Sequence, residues 1–388
     1  MKKIIITCLS ALLLMGAFSN TSFSQQKAKA EKKENKDKDD DDWNFNGSQS
    51  PGTWDAVIKD DQVNIQFFGQ HWSSGRNFPL SELGALPNGK IGEFSLNREA
   101  GKMTLNGVFE NQFGHGTYRF DENEQFKAYL AQRGYKNLDN QLMLDVFFTD
   151  INKAYFDYMK VNGYTSITND QFKDLAEQDL NRKKLDEYFS MFKTEGYGHQ
   201  SIDKIVELRE HGVSARFVSE FHQIGFKNFP LDKALELRDH GVSAKYITQF
   251  TKMGYKDITL DKALDLRDHG VSPDFINSIQ KMGYGTLTLD KAQELRDHGV
   301  SPKFISSIQE MGYKNITLDK AQELKDHGVN PEFISGVQKL GFKDLTLEKA
   351  QELRDHGVTV AYMQKVKSKN LDNIKTLDDY IKLRDTGF

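Results

Sequence analysis

The sequence predicts an α+β protein: an N-terminal antiparallel β meander, forming a small sandwich or open barrel, followed by a solenoid of αα-hairpins. Three observations carry that reading. Residues from Trp43 to about Asp121 alternate apolar and polar between turn residues, the period-two pattern of half-buried strands. From His211 onward the dipeptide His-Gly recurs every 29 residues, as far as His356. Hydrophobic residues make up 38% of the 388, which is low for one large core but ordinary for an array whose units bury only shared faces.

The first element is a leader. Lys2 and Lys3 precede the mainly apolar run Ile4 to Phe18, and Ser22-Phe23-Ser24 supplies small residues, so an export signal over 1–24 with cleavage before Gln25 is expected. A spanning helix needs about 20 apolar residues. This run is shorter and no later stretch qualifies, so the mature chain is expected without a transmembrane anchor, in the periplasm or secreted. The single Cys, Cys8, falls inside the leader. That excludes an intramolecular disulfide, a Cys-based zinc site, an iron–sulfur cluster and, after cleavage, a Cys nucleophile, and it suits an oxidising compartment. With 52 Lys+Arg against 56 Asp+Glu the chain carries −4, which argues against nucleic acid as a partner. Residues 25–42 are charged, contain nothing apolar larger than Ala, and read as a disordered linker.

The β-rich module covers 43–121. Its expected strands are Thr53 to Ile58, Val63 to Phe68, Gly92 to Asn97, Lys102 to Glu110 and Thr117 to Phe120, with Trp54, Phe67, Phe94, Leu96, Leu105, Phe109, Tyr118 and Phe120 inside. The stretch Gln70 to Asn77 breaks the alternation and groups His71, Trp72 and Arg76. It reads either as a ligand-facing loop or as a strand end with Trp72 covering one rim of the core.

Degenerate helical repeats are expected over 122–199, marked by Gly134-Tyr135 and Gly163-Tyr164, and the regular repeats over 200–388. The interval from Gly163 to Gly196 is 33 residues, so four residues are inserted there. One regular unit runs as follows. Thr259 caps a helix with Asp261 in its first turn and Leu260, Ala263 and Leu266 along one face. Gly270 ends it in the left-handed conformation and Val271 folds back on Leu266. Ser272 caps the second helix, Pro273 takes its first position, and Phe275, Ile276 and Ile279 form its buried stripe before Gly283 and Tyr284. Helices this short are marginal alone, so stacking must stabilise them.

His211, His240, His269, His298, His327 and His356, each followed by Gly212, Gly241, Gly270, Gly299, Gly328 and Gly357, are read as structural caps near the helix C-terminal carbonyls. A metal or proton ladder is the competing reading, disfavoured because equivalent atoms in stacked repeats stand about a helix spacing of ~8–10 Å apart or more. No cofactor is expected. Between copies the first helix barely changes, whereas the second varies at two positions. One is Arg216, Lys245, Asp274, Lys303 and Glu332; the other is Glu220, Gln249, Ser278, Ser307 and Gly336. A binding face and neutral drift on a solvated surface both account for such variation.

Glu93-Phe94-Ser95-Leu96-Asn97-Arg98-Glu99-Ala100-Gly101, then Leu105-Asn106-Gly107-Val108-Phe109 and Gly116-Thr117-Tyr118-Arg119-Phe120, precede repeats ending Leu-Arg-Asp-His-Gly-Val-Ser-Pro. Over about Trp43 to Phe388 this combination resembles an exported bacterial envelope family. The same β-plus-repeat region follows the peptidase domain of some membrane metallopeptidases of the β-lactam-sensor type, and it also occurs in stand-alone exported proteins. The peptidase signature His-Glu-x-x-His is missing here, so the resemblance implies an accessory, sensing or scaffold role and not proteolysis. The expected function is therefore a non-enzymatic interaction protein of the envelope whose repeats bind an envelope or extracellular protein. The alternative is a small-ligand or glycan-binding β module carried on a repeat stalk.

Overall fold

A computed structural model describes residues 52–69, 72–369, 371 and 373–387. The expected leader, the charged linker, Trp43 and His71 lie outside the described residues. Two compact units divide the chain, Met1–Arg216 and Phe217–Phe388.

The first unit opens with six strands: β1 (Gly52–Lys59), β2 (Gln62–Phe68), β3 (Ser73–Pro79), β4 (Gly92–Arg98), β5 (Gly101–Glu110) and β6 (Phe113–Glu122). All pairings are antiparallel, in the order β3-β2-β1-β6-β5-β4. Two three-stranded meanders are thus joined through β1 and β6. The short helix α1 (Leu80–Leu83), in the connection between the meanders, touches both edge strands. The sheet is a curled half-barrel, the open-barrel form of the expectation, and not a two-layer sandwich.

One sheet face is dry. The eight residues expected inside are each at most 7% exposed. Strand β3 is a correction to the sequence reading, which left Gln70 to Asn77 irregular. Ser73 to Pro79 pairs with β2 from Phe68↔Ser73 to Gln62↔Pro79. Of β3 only Phe78 is buried, so backbone bonding to one neighbour holds the strand and no apolar alternation announces it.

Helix α2 (Glu124–Gln132) follows the sheet, and α3 (Asn140–Thr149) packs against its buried face. Leu142, Met143, Leu144, Val146, Phe147, Phe148 and Thr149 of α3 are all buried. Phe147 meets Phe120 at 5.0 Å between ring centroids and Phe148 meets Phe67 at 5.1 Å. The turn after β4 fastens this contact. Arg98 Nη1 donates to the carbonyls of Phe147 (2.7 Å) and Phe148 (2.9 Å), capping the α3 C-terminus, and its Nη2 pairs with Glu82 at 3.1 Å. Glu99 next to it accepts from the Lys153 N–H (3.0 Å) at the start of α4 (Lys153–Val161).

The remaining helices of this unit are α5 (Asn169–Glu177), α6 (Arg182–Thr194) and α7 (Ile202–Glu210), with α8 (Ala215–Gln223) beginning at its end. The hairpins α3–α4 and α5–α6 keep the repeat geometry, with Asp150 (φ 55°) and Asp179 (φ 52°) left-handed where later copies use Gly. The four inserted residues lie in α6, which has 13 residues against 9 in α4. At 3.6 residues per turn, the insertion lengthens the helix by about one turn and leaves the hairpin register intact.

In the second unit the hairpins are α9 (Leu231–Asp239) with α10 (Ala244–Lys252), α11 (Leu260–Asp268) with α12 (Pro273–Ile279), α13 (Leu289–Asp297) with α14 (Pro302–Glu310), α15 (Leu318–Asp326) with α16 (Pro331–Lys339), and α17 (Leu347–Asp355) with α18 (Val360–Ser368); α19 (Leu377–Asp385) follows. Second helices stack on one another from α10 to α18. The unit around Thr259 has the anticipated local chemistry. Thr259 Oγ1 accepts from the Lys262 N–H (3.0 Å), Val271 N–H donates to the Leu266 carbonyl (2.8 Å), Gly270 has φ 68°, and Ser272 Oγ accepts from the Phe275 N–H (3.1 Å). The buried face of α11 is Ala263, Leu264 and Leu266, with Leu260 only half-buried.

Candidate functional site

The repeat surface is built from ladders that tie each hairpin to the next. His240, His269, His298, His327 and His356 of the second unit are each the C-cap residue of a first helix, and His211 has that position on α7 in the first unit. In the second unit the rings do not return to their own carbonyls. His240, His269, His298 and His356 place Nδ1 2.6, 2.5, 2.6 and 2.9 Å from Oδ1 of Asp268, Asp297, Asp326 and Asp385, and His327 meets Asp355 in the same way. The accepting carboxylates hold His240 and His269 above the ordinary imidazole value.

Two further ladders run beside it. Lys233, Lys262, Lys291, Lys320 and Lys349 each pair with a carboxylate of the next hairpin: Asp261 (2.7 Å), Asp290 (2.8 Å), Asp319 (2.6 Å), Glu348 (3.7 Å) and Asp378 (2.7 Å). Arg267, Arg296 and Arg354 lie over the rings of Tyr246, Phe275 and Phe333 in the preceding hairpin, at 5.4, 5.3 and 5.3 Å. Tyr284 donates to the Ile316 carbonyl at 2.7 Å, and Tyr255 and Tyr313 make the equivalent bonds to Leu287 and Leu345. These tyrosines follow the second helices and bridge to the next hairpin.

Against this paired background, one row of charges is free. Lys245, Asp274, Lys303 and Glu332 are exposed at one equivalent position on α10, α12, α14 and α16, and among the described residues their side chains make no ion pair or hydrogen bond. Arg216 is exposed near the start of α8, at the end of the first unit. The other variable position is less open. Gln249 is exposed, but Glu220, Ser278 and Ser307 are half-buried, and a Cβ at Gly336 would stand 2.5 Å from Val360 Cγ2 of the next second helix. Small residues there serve close packing at Gly336 as much as any surface.

Sequence reasoning did not single out the end of the hairpins where second helices finish. An open groove of about 520 Å³ there is lined by Met282, Tyr284, Lys291, Gln309, Lys314 and Leu318, among others. A second, of about 380 Å³, is lined by Ser306, Gln309, Glu310 and Lys314. Gln309 and Lys314 belong to both.

In the first unit, Trp72 and Arg76 cover the rim of the sheet over α3. The Trp72 ring lies 6.3 Å from Tyr118 and 6.4 Å from Phe148, and the Arg76 guanidinium lies 5.1 Å from the Phe148 centroid. Arg76 Nη1 donates to the Gly75 carbonyl (3.1 Å), and its Nε is buried without a partner among the described residues. Asp145 on α3 is half-buried, and burial pushes its carboxyl up to about 6 against the opposing Gln141 hydrogen bond (3.2 Å) and the Arg76 charge.

Among the described residues no three His, Cys, Asp or Glu side chains form a metal-binding group, and no helix is long and apolar enough to cross a membrane. Compared with protein-family models and with curated proteins, the chain matches none.

Proposed function

We propose that the chain is an exported, non-enzymatic scaffold of the bacterial cell envelope that binds another protein through the outer surface of its second helices. The observation that carries this reading is the contrast between two sets of charges. First-helix lysines and histidines are engaged in ladders between hairpins, whereas Lys245, Asp274, Lys303 and Glu332 change sign along one row and make no side-chain ion pair or hydrogen bond among the described residues. Charges that stabilise no neighbour are available for complementarity with a partner. The leader-like first 24 residues and the family resemblance support the location.

Affinity capture from envelope extract tests it. The full chain is compared with a variant reversing all four charges (Lys245→Glu, Asp274→Lys, Lys303→Glu, Glu332→Lys), which leaves net charge unchanged. The wild type should retain a partner that the variant loses; an unchanged partner set overturns the reading.

A further inference from the structure

The second unit has two unlike ends. At the His-Gly end, the histidines and the arginines over aromatic rings face residues of adjacent hairpins. At the opposite end, Lys252, Lys281 and Lys339 close second helices or follow them, and Lys256, Lys314 and Lys343 sit in the loops beyond. None of these six side chains has an ion pair or hydrogen bond among the described residues, while the five first-helix lysines are all ion-paired. Asp257, Glu310 and Asp344 interrupt the row, also unpaired. Both grooves open at this end and meet at Gln309 and Lys314.

Resting on the scaffold reading, we propose that this loop end binds an extended acidic segment of a partner protein, placing carboxylates at the free lysines and an apolar side chain in the groove beside Lys314. Charge selects the class of ligand: an unpaired ammonium at a groove mouth favours a carboxylate, and steering by such charges is long-ranged at low salt. The interspersed acids repel a uniform polyanion such as nucleic acid or a sulfated glycan, while a peptide can space its carboxylates between them. Met282 and Leu318 give the groove an apolar wall, which a side chain fills and a bare polyanion does not. The Tyr284 hydroxyl that holds this wall donates to Ile316 and accepts from Gln309 at 3.3 Å, so the groove is fixed by bonds within the array.

The test is fluorescence anisotropy on the full chain with a labelled synthetic peptide alternating Glu and Leu, competed by an all-Glu peptide and by heparin. The alternating peptide should bind with an affinity that falls as salt rises. Lys314→Glu should weaken it by about tenfold, and Lys102→Glu on the exposed face of the sheet by less than about twofold. No binding, equal effects of the two substitutions, or heparin and all-Glu peptide competing as well as the unlabelled alternating peptide each overturn the proposal. The two readings fail separately. If reversing the second-helix charges abolishes partner capture and Lys314→Glu leaves both capture and peptide binding intact, the scaffold reading stands and this inference falls.

Discussion

Removing the Arg98 side chain should loosen the first unit and leave the second untouched. Arg98 makes two charge-assisted hydrogen bonds to the α3 C-terminus, at 2.7 and 2.9 Å, and its side chain is only 14% exposed. Hydrogen bonds to a charged group contribute about 1.5–3 kcal/mol each. The two share one nitrogen and are not additive, and the Glu82 pair, 40% exposed on its acidic side, adds roughly 0–1 kcal/mol. Arg98→Ala is therefore expected to cost about 3 kcal/mol. With a urea dependence of about 2 kcal/mol/M for a unit of this size, the midpoint should fall by about 1.5 M. Tryptophan emission reports on this unit alone, because Trp43, Trp54 and Trp72 are the chain's three tryptophans and all precede residue 217. Arg98→Lys keeps the charge but not the fork, and should recover less than half of the loss. Arg119→Ala, whose partner Asp121 is 49% exposed, is the control and should change the midpoint by little. Equal, small shifts for Arg98→Ala and Arg119→Ala would refute the idea that the β4–β5 turn fastens α3 to the sheet.

Other expectations follow from named groups. Asp145 has its pKa raised by burial, so the folded state holds its proton more tightly than the unfolded state and stability falls as pH rises from about 4 to about 6. Asp145→Asn should stabilise the first unit at pH 7 by on the order of 2 kcal/mol and flatten that pH dependence, measured by urea titration at several pH values. His269 has its pKa raised by Asp297, so its contribution is complete below the unfolded imidazole value and is lost as pH climbs through the higher folded one. An NMR titration should place its midpoint above 6.5, and Asp297→Asn should lower it; an unmoved midpoint contradicts the ladder. Gly270 has φ 68°, and a Cβ there would come within 2.9 Å of Arg296 Nη2. Gly270→Ala should cost about 1–2 kcal/mol and speed hydrogen exchange in α11 and α12 ahead of α17.

What the sequence made legible is what local chemistry repeats. Caps such as Thr259 and Ser272, the turn at Gly270 and the apolar stripe Phe275, Ile276 and Ile279 are each decided within a few residues, and copies multiply the signal. The sheet interior was legible because alternation marks a one-sided core. Strand β3 was not, since an edge strand with only Phe78 buried has no such pattern. The Arg98 and Glu99 contacts span 49 to 54 residues of sequence, beyond any periodicity. The two earlier hairpins were faint because Asp150 and Asp179 occupy the left-handed position without glycine's signature. Of the candidate surface residues, spacing identified equivalent positions but could not distinguish the exposed Lys245 row from the half-buried one that ends at Gly336 against Val360. The loop-end groove takes its lining from three successive hairpins, so no single copy carries its outline.

The most direct measurement is photo-cross-linking in intact cells, with a photoreactive amino acid placed in turn at positions 245, 274, 303 and 332. The same partner protein attached at several of these positions, and absent when the probe replaces Lys102 on the sheet, is the predicted result. Adducts from position 102 with none from the four helix positions would contradict a binding surface made by stacked second helices.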